Sequence, residues 1–200
     1  ENGRPTIKGL FAGRDRSLFE EAVSLSQKHN FDLLDKPLKR AVVYLDPSHF
    51  KSTWLGNKAI YRTRMAIADR GELIVIAPGV KQFGEDQLVD GLIRKYGYSG
   101  TERILEIVGR DEDLRGNLSA AAHLIHGSSE GRFDIVYAPG HLTRAEIESV
   151  GLRYMPLEEA IERFNPEVLH DGYNTVDGEE IFYVSNPSLG LWSLAERFEQ

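Results

Sequence analysis

The chain of 200 residues contains no cysteine, and this absence removes several chemistries at once. Without thiols there is no disulfide, no thiolate nucleophile and no cysteine-ligated zinc or iron–sulfur site. A protein without disulfides is compatible with a reducing compartment, and we expect this one to work in the cytoplasm.

An excess of positive charge is also missing. The sequence has 24 Lys and Arg residues against 31 Asp and Glu residues, which gives a formal net charge of −7. Nucleic-acid-binding proteins carry a basic stripe or patch, and none is visible here. The chain also lacks any run of 18 apolar residues that could span a membrane. The sequence therefore predicts neither a nucleic-acid partner nor a membrane partner.

What the chain does have is enough apolar content, 41%, to build a real core. Short apolar runs alternate along it with segments of helical spacing. This alternation predicts an α/β fold with a doubly wound, mostly parallel sheet and helices on both faces, a three-layer sandwich. We expect one domain over residues 1–200. Because the sequence opens at Glu1 without an initiator methionine, we expect it to be the carboxyl-terminal half of a longer two-domain protein.

Local patterns predict the individual elements. Residues 6–12 suit a first strand, and a helix capped by Asp15 should follow over residues 16–29. Apolar residues recur at helical spacing over 55–70, between two predicted strands. Residues 164–178 are rich in Asn-Pro and Asp-Gly pairs and are predicted to be loop, with a closing helix from residue 189.

Four apolar runs end at a proline that is followed by serine or glycine, at Pro47, Pro78, Pro139 and Pro187. Runs without polar alternation are typical of strands buried on both faces, and proline ends such a strand. In open parallel sheets, ligands bind beyond the carboxyl ends of the strands. The polar residues at those ends should therefore share one rim of the sheet, and they are His49, Lys81, His141 and Asn186.

His49 and His141 are the candidate catalytic residues on this rim. A neutral imidazole can act as general base, general acid or metal ligand. Two histidines on different strand ends could also face a substrate carbon from opposite sides, as a two-base racemase requires. The alternative is that both are ordinary histidines of surface loops.

Gly79 and Lys81 follow the second of these strands and are candidate ligand-binding residues. A glycine turn leading into a helix permits close backbone approach to an anion, and a lysine adds a positive charge. The alternative is a tight strand-to-helix turn with a solvated lysine. The segment has neither the P-loop spacing nor a G-x-G-x-x-G pattern, so nucleotide binding is not predicted.

Lys58, Arg62 and Arg64 are further binding candidates within the predicted 55–70 helix. Lys58 and Arg62 are four residues apart, where like charges repel each other on a helix. An acidic group should compensate them, and it is either a protein carboxylate or an anionic ligand.

Two other features have mainly structural interpretations. His123 and His126 share a helix face and could bind a metal, but a capping role near Gly127 is the preferred interpretation. No metal site is predicted. Trp192 is expected to be a core or interface anchor.

A family resemblance is carried mostly by residues 55–77. The sequence Leu-Gly-Asn-Lys-Ala-Ile-Tyr at 55–61 precedes the strand Ala-Asp-Arg-Gly-Glu-Leu-Ile-Val at 68–75. A Gly-Arg-Asp segment and a valine-rich strand come before them. In the order of its elements, over residues 7–165, the chain resembles the carboxyl-terminal half of the nickel-dependent lactate racemase family.

That resemblance implies two α/β domains with a cleft between them, and racemisation or epimerisation of 2-hydroxy acids by hydride transfer with a nickel-pincer nucleotide. It places the cofactor's covalent lysine, the nickel ligand and the paired base histidines in the amino-terminal half. In the carboxyl-terminal half, the family's glutamine and lysine follow a tyrosine. Matching that tyrosine to Tyr61 puts Arg62 at the glutamine position and Met65 at the lysine position. Carboxylate binding then falls to Arg62 or Arg64, and an aldonate such as mannonate becomes a better candidate substrate than lactate.

We therefore expect a domain of a racemase or epimerase that binds a small anionic substrate and is inactive alone. It should pack against its own amino-terminal domain or against a second copy. Two alternatives stay open. One is a self-sufficient isomerase or hydrolase that uses His49 and His141, although a hydrolase would lack the G-x-S-x-G elbow. The other is a non-catalytic ligand-binding or assembly domain.

Overall fold

The four proline-ended runs form the centre of a six-stranded sheet in the computed structural model, which describes residues 6–197. The strands are β1 (Phe31–Leu34), β2 (Leu38–Tyr44), β3 (Ile67–Ala77), β4 (Asp134–Pro139), β5 (Arg153–Tyr154), β6 (Gly172–Val176), β7 (Glu179–Val184) and β8 (Leu191–Leu194). The helices are α1 (Arg16–Asn30), α2 (Thr53–Gly56), α3 (Lys58–Tyr61), α4 (Gln87–Tyr96), α5 (Thr101–Arg110), α6 (Glu112–Arg115), α7 (Leu118–His126), α8 (Arg144–Ser149) and α9 (Leu157–Arg163), and a 3₁₀ turn spans Ala195–Arg197.

The large sheet has the strand order β5-β4-β3-β2-β7-β6. All of its neighbouring pairs are parallel except the edge pair of β6 with β7. β1 and β8 form a separate parallel pair. The predicted α/β architecture with a mostly parallel sheet is confirmed.

Helices cover the two faces of the sheet unequally. On one face, Val43, Val75 and Tyr137 pack with residues of α4, α5 and α7 in the larger core cluster. On the other face, Ile74 and Val136 pack with residues of α9 and with Phe164. The strands between these layers are almost fully buried, which explains why their sequences show no polar alternation.

Capping residues define where several of the helices begin. The side chains of Asp15, Asp86 and Asn117 each accept a backbone N–H from the first turn that follows them. Thr143 and Glu146 form a complete capping box at the start of α8. The predicted cap at Asp15 is therefore confirmed.

Several expected elements differ from the structure. Residues 6–12 are not a strand but an irregular segment, in which Gly9 and Phe11 lie beside α1. The helix expected over 55–70 is reduced to α2 and α3, because Ala66 already hydrogen-bonds to Leu38 at the start of β2. The expected closing helix is instead β8, which pairs with β1 along its whole length.

The 164–178 segment is also more ordered than expected, since it contains β6. Asp177 and Gly178 form the two-residue connection of a hairpin, and both have positive φ values, 53° and 79°. Positive φ at both positions is what a tight turn between twisted antiparallel strands requires. The Asp-Gly pair is a strong hairpin signal, and reading it only as loop was wrong.

Candidate functional site at the carboxyl ends of the strands

The turns that follow β2, β3 and β4 are bonded to one another through their backbones. The N–H of Gly140 donates to the Ala77 carbonyl at 3.0 Å, and the N–H of His141 donates to Val80 at 3.2 Å. On the other side, the N–H of Lys81 donates to the Lys51 carbonyl at 3.0 Å. These three turns, with the Asn186–Ser188 turn after β7, form one continuous surface, which we call the carboxyl-terminal rim.

Two glycines allow these turns to approach so closely. A Cβ atom on Gly79 would lie 2.7 Å from the Pro47 Cα, and one on Gly140 would lie 1.9 Å from the Pro78 carbonyl oxygen. Gly79 is buried beneath the turn that follows β2. The structure therefore gives Gly79 a packing role, and its predicted contact with a ligand remains a prediction.

The predicted rim residues do lie together on this surface. His49, Lys81, His141 and Asn186 are exposed there. Lys58, the first residue of α3, is half-buried behind them. Its Nζ lies 5.9 Å from the centre of the Phe50 ring and 3.4 Å from the Ser188 Oγ. Lys58 thus links the turn after β2 to the turn after β7.

Arg62 stands next to the rim group but faces the loop before β8. Its Nη1 donates to the Gly190 carbonyl at 3.0 Å, and its buried Nε has no partner among residues 6–197. The Arg62 carbonyl in turn accepts the Trp192 N–H at 2.9 Å. The acidic partner expected for Arg62 is not found in the described part of the chain.

Arg64 lies away from the rim. Its neighbour Ala66 bonds to Leu38, the first residue of β2, and its own Nη1 donates to the Ile125 carbonyl at 3.3 Å. The Arg64 side chain is thus directed toward the end of α7, and its predicted role in ligand binding remains a prediction.

The lysines of the rim have no acidic partners among the described residues. Within residues 6–197, no carboxylate lies at ion-pair distance from the ammonium group of Lys51, Lys58 or Lys81. Two carboxylates of the rim accept hydrogen bonds from hydroxyl groups: Asp46 accepts one from Ser48, and Glu85 accepts one from Ser52. The rim can therefore offer cationic groups to an anionic ligand.

His49 belongs to a short hydrogen-bonded cluster. The Ser48 Oγ lies 2.6 Å from the Asp46 Oδ1 and 2.9 Å from the His49 Nδ1. Hydrogen bonds from the Ser48 hydroxyl and backbone N–H lower the pKa of Asp46 below its ordinary value. The Ser48 hydroxyl therefore donates its hydrogen bond to the ionised Asp46.

Sequence reasoning missed a buried polar network beneath the rim. The Tyr98 hydroxyl lies 2.9 Å from the Thr53 Oγ1 and 3.0 Å from the His123 Nε2. On the other side of the ring, Asn57 Nδ2 lies 3.1 Å from the His123 Nδ1. Burial lowers the pKa of His123 to about 4, with a smaller contribution from His126. No motif connects these residues in sequence; the only signal was a histidine on an alanine-rich helix.

This network corrects the predicted role of His123 as a cap. His123 is in the last turn of α7, but its imidazole lies in the core, stacked on Trp54 at 4.5 Å, and does not cap the helix end. Its hydrogen bonds run in one direction, from Asn57 through His123 and Tyr98 to Thr53, whose hydroxyl donates to the Phe83 carbonyl. Because the series ends on a backbone carbonyl, it positions helices and offers no path for a proton to the surface.

Neither a metal site nor a membrane span is found in residues 6–197. No three His, Asp or Glu side chains of this part of the chain lie close enough together to hold an ion. None of its helices combines the length and the apolar character needed to cross a bilayer.

No protein-family model matches the chain, and no curated protein matches its sequence. Solved structures do match its fold. A crystal structure of a protein from Thermotoga maritima superposes with a TM-score of 0.69, at 22% identity, over 90% of this chain and 42% of that one. The lactate racemase apoprotein from Thermoanaerobacterium thermosaccharolyticum superposes with a TM-score of 0.58, at 10% identity, over 88% of this chain and 40% of that one.

The chain shares the fold of part of a lactate racemase. It spans about two fifths of the length of each of these structures. Identities this low establish a distant relationship of fold, and the activity must be argued from the rim itself.

Proposed function

We propose that the chain is one domain of a racemase or epimerase of 2-hydroxy acids related to lactate racemase, and that its carboxyl-terminal rim binds the carboxylate of the substrate. The rim then forms one wall of a cleft, with a second domain of the same protein or a second copy supplying the other wall. Among the 2-hydroxy acids, the preferred substrate is an aldonate such as mannonate, and lactate is a smaller acid of that class.

The observation that carries this proposal is the environment of Lys58. The Lys58 residue is half-buried behind the exposed rim, and within residues 6–197 its ammonium group contacts the Phe50 ring and, at 3.4 Å, the Ser188 Oγ, but no carboxylate. A partly desolvated charge without a counterion favours an anionic ligand, because a charge-assisted hydrogen bond would replace lost hydration. Lys81 and Lys51 add exposed positive charge next to it.

The remaining rim residues receive roles from their positions. His49 and His141 are the proposed proton-transfer residues, because both rings are exposed on the same surface. Asn186 and Ser188 lie beside Lys58 and carry the polar groups that could bind substrate hydroxyls. Arg62, half-buried next to the rim, is the proposed second contact for a larger acid.

The family resemblance implies a nickel-pincer nucleotide, and we assign no ligand of its metal to residues 6–197. Residues 6–197 contain no cluster of three potential metal ligands, and the sequence has no cysteine. We therefore assign no step of the reaction to that group through these residues. If the natural protein uses it, the groups that hold it belong to another domain.

The test is the binding of mannonate and lactate to the natural full-length protein, measured by isothermal titration calorimetry. We expect Lys58→Ala to weaken mannonate binding about 10- to 100-fold, since a hydrogen bond to a charged group contributes about 1.5–3 kcal/mol. The matched control is Lys39→Ala, which removes an exposed lysine from the start of β2, at the other end of the sheet.

Equal affinities of the two variants would show that Lys58 is not the carboxylate site. Epimerisation at C2 is followed separately by the NMR spectrum of the acid. A full-length protein that binds these acids but never inverts C2 would contradict the proposed reaction and leave only a binding domain.

A further inference from the structure

The Asp46-Pro47-Ser48-His49 turn places three side chains in a fixed order. Asp46 Oδ1 accepts the Ser48 backbone N–H at 2.7 Å and also lies 2.6 Å from the Ser48 hydroxyl. The Ser48 Oγ is 2.9 Å from the His49 Nδ1, whereas the Asp46 Oδ2 is 3.6 Å from the same nitrogen and too far for a hydrogen bond. Serine therefore stands between the carboxylate and the imidazole.

The protons of this cluster can be assigned by counting donors and acceptors. An ionised carboxylate accepts hydrogen bonds only, so the hydroxyl proton of Ser48 must point to Asp46. The Ser48 oxygen then has only lone pairs to offer to His49. For the 2.9 Å contact to be a hydrogen bond, the proton of the neutral imidazole must be on Nδ1.

We infer that Asp46 and Ser48 are positioning residues that hold neutral His49 in its Nδ1–H tautomer, so that Nε2 presents a lone pair at the carboxyl-terminal rim as a general base. This inference rests on the proposed function for the reaction that the base serves. The tautomer of His49 follows from the contacts within the turn and does not depend on the proposed function.

Proton transfer from the bound acid to His49 breaks one bond and forms one bond. The Nε2 lone pair forms a new N–H bond with the proton of the C2 hydroxyl of the bound acid, the electron pair of the broken O–H bond stays on that oxygen, and the ring becomes an imidazolium cation. The Nδ1–H stays hydrogen-bonded to the Ser48 oxygen throughout. The Ser48 hydroxyl stays hydrogen-bonded to Asp46, whose negative charge lies close to the new positive charge of the ring. The His49 side chain is 77% exposed, so Nε2 is open to a substrate on the rim.

His141 provides a control within the same molecule. It lies on the same rim and is exposed, but its ring makes no hydrogen bond with any of residues 6–197. An unconstrained neutral histidine in water prefers the Nε2–H tautomer. The two rim histidines should therefore show opposite tautomers in one spectrum.

The experiment is a long-range ¹H–¹⁵N correlation spectrum of the imidazole rings at about pH 8.5, roughly two pH units above the usual histidine pKa. We expect the unprotonated nitrogen, which resonates far downfield, to be Nε2 in His49 and Nδ1 in His141. In Asp46→Ala, the Ser48 hydroxyl is free to donate to Nδ1, and the His49 pattern should become that of His141. An Nε2–H tautomer in unmodified His49, or a His49 pattern unchanged in Asp46→Ala, would overturn the inference.

Activity of the full-length protein is the second measurement. Asp46→Ala should lower kcat about 10- to 100-fold and leave KM within about twofold, because Nε2 then carries the proton and offers no lone pair, while Lys58 is untouched. A full-length protein with no racemase or epimerase activity but with the expected tautomers would refute the proposed function alone. Full activity in Asp46→Ala, with the tautomer reversed, would show that His49 is not the base.

Discussion

At the scale of single residues, the rim depends on positions where a side chain cannot be accommodated. Gly140 is the most demanding of them, because a Cβ atom there would lie 1.9 Å from the carbonyl oxygen of Pro78, a distance far inside van der Waals contact. The obstacle is backbone rather than the flexible end of a side chain. Relief would require the turns after β3 and β4 to separate and would strain the hydrogen bond from Gly140 to Ala77.

We predict that Gly140→Ala lowers the free energy of unfolding by about 1–3 kcal/mol, the usual cost of overpacking. The measurement is urea unfolding followed by circular dichroism. The matched control is Gly109→Ala in α5, where a Cβ atom meets nothing within 4 Å and the chain should gain about 0.5–1 kcal/mol from helix propensity. If both substitutions had the same effect, the rim turns would be looser than their contacts indicate.

Residue patterns predicted the rim better than they predicted its individual contacts. Proline after an apolar run fixes where a strand ends, and parallel pairing then brings His49, Lys81 and His141 to one edge without any knowledge of side-chain packing. Arg64 could not be placed in this way. Its position depends on how few residues α3 contains, and that is decided by the contact of Ala66 with Leu38.

At the scale of elements, His123 joins α7 to the segment of α2 and α3. Its ring bonds to Tyr98 on one side and to Asn57, the residue between α2 and α3, on the other. Protonation would place an unpaired charge in the core and would break the acceptor role of Nδ1 toward Asn57. The packing of three helices therefore requires the neutral ring.

This requirement predicts a pH dependence of stability with a definite sign. The folded pKa of His123 is about 4, against 6.5 as its ordinary value, so the unfolded state binds more protons between these two values. Stability from this residue is full above pH 6.5 and is lost as pH falls toward 4, by roughly 3 kcal/mol in total.

The measurement is the free energy of unfolding at pH 7 and pH 4.5 for the parent chain, His123→Gln and His141→Ala. Replacing His123 should remove most of the slope, whereas replacing the exposed His141 should leave it unchanged. A slope that survives in His123→Gln would assign the pH dependence to carboxylates instead.

Elements were predictable where local chemistry alone determines them. α1 has its cap and its apolar spacing in sequence, and its predicted bounds agree with the structure to one residue. α2, α3 and β8 could not be predicted in this way. The apolar residues of these segments have helical spacing, but the structure forms two short helices in one segment and a strand in the other. Their form follows from distant partners, such as Met65 beside Ser193 and β8 beside β1. Single-sequence patterns do not contain those partners.

At the scale of the whole molecule, the first described residues stand apart from the rest. α1 contains no buried residue, and residues 6–15 before it are exposed along their length. The apolar side chains of this region, such as Phe19 at 67% exposure, therefore add little to the core. By contrast, β8 near the other end of the chain buries Trp192 and Leu194 in contact with the main body.

We predict that deleting residues 1–30 changes the free energy of unfolding by less than about 1 kcal/mol, which for a domain of this size corresponds to a Tm shift of about 2–4 °C. The comparison variant is Trp192→Ala, which should cost about 3–5 kcal/mol because it leaves a cavity under β1 and β8. Thermal unfolding by differential scanning calorimetry measures both. A deletion as damaging as Trp192→Ala would mean that α1 belongs to the cooperative core. The folding unit would then include α1 in addition to the large sheet and its two helical layers.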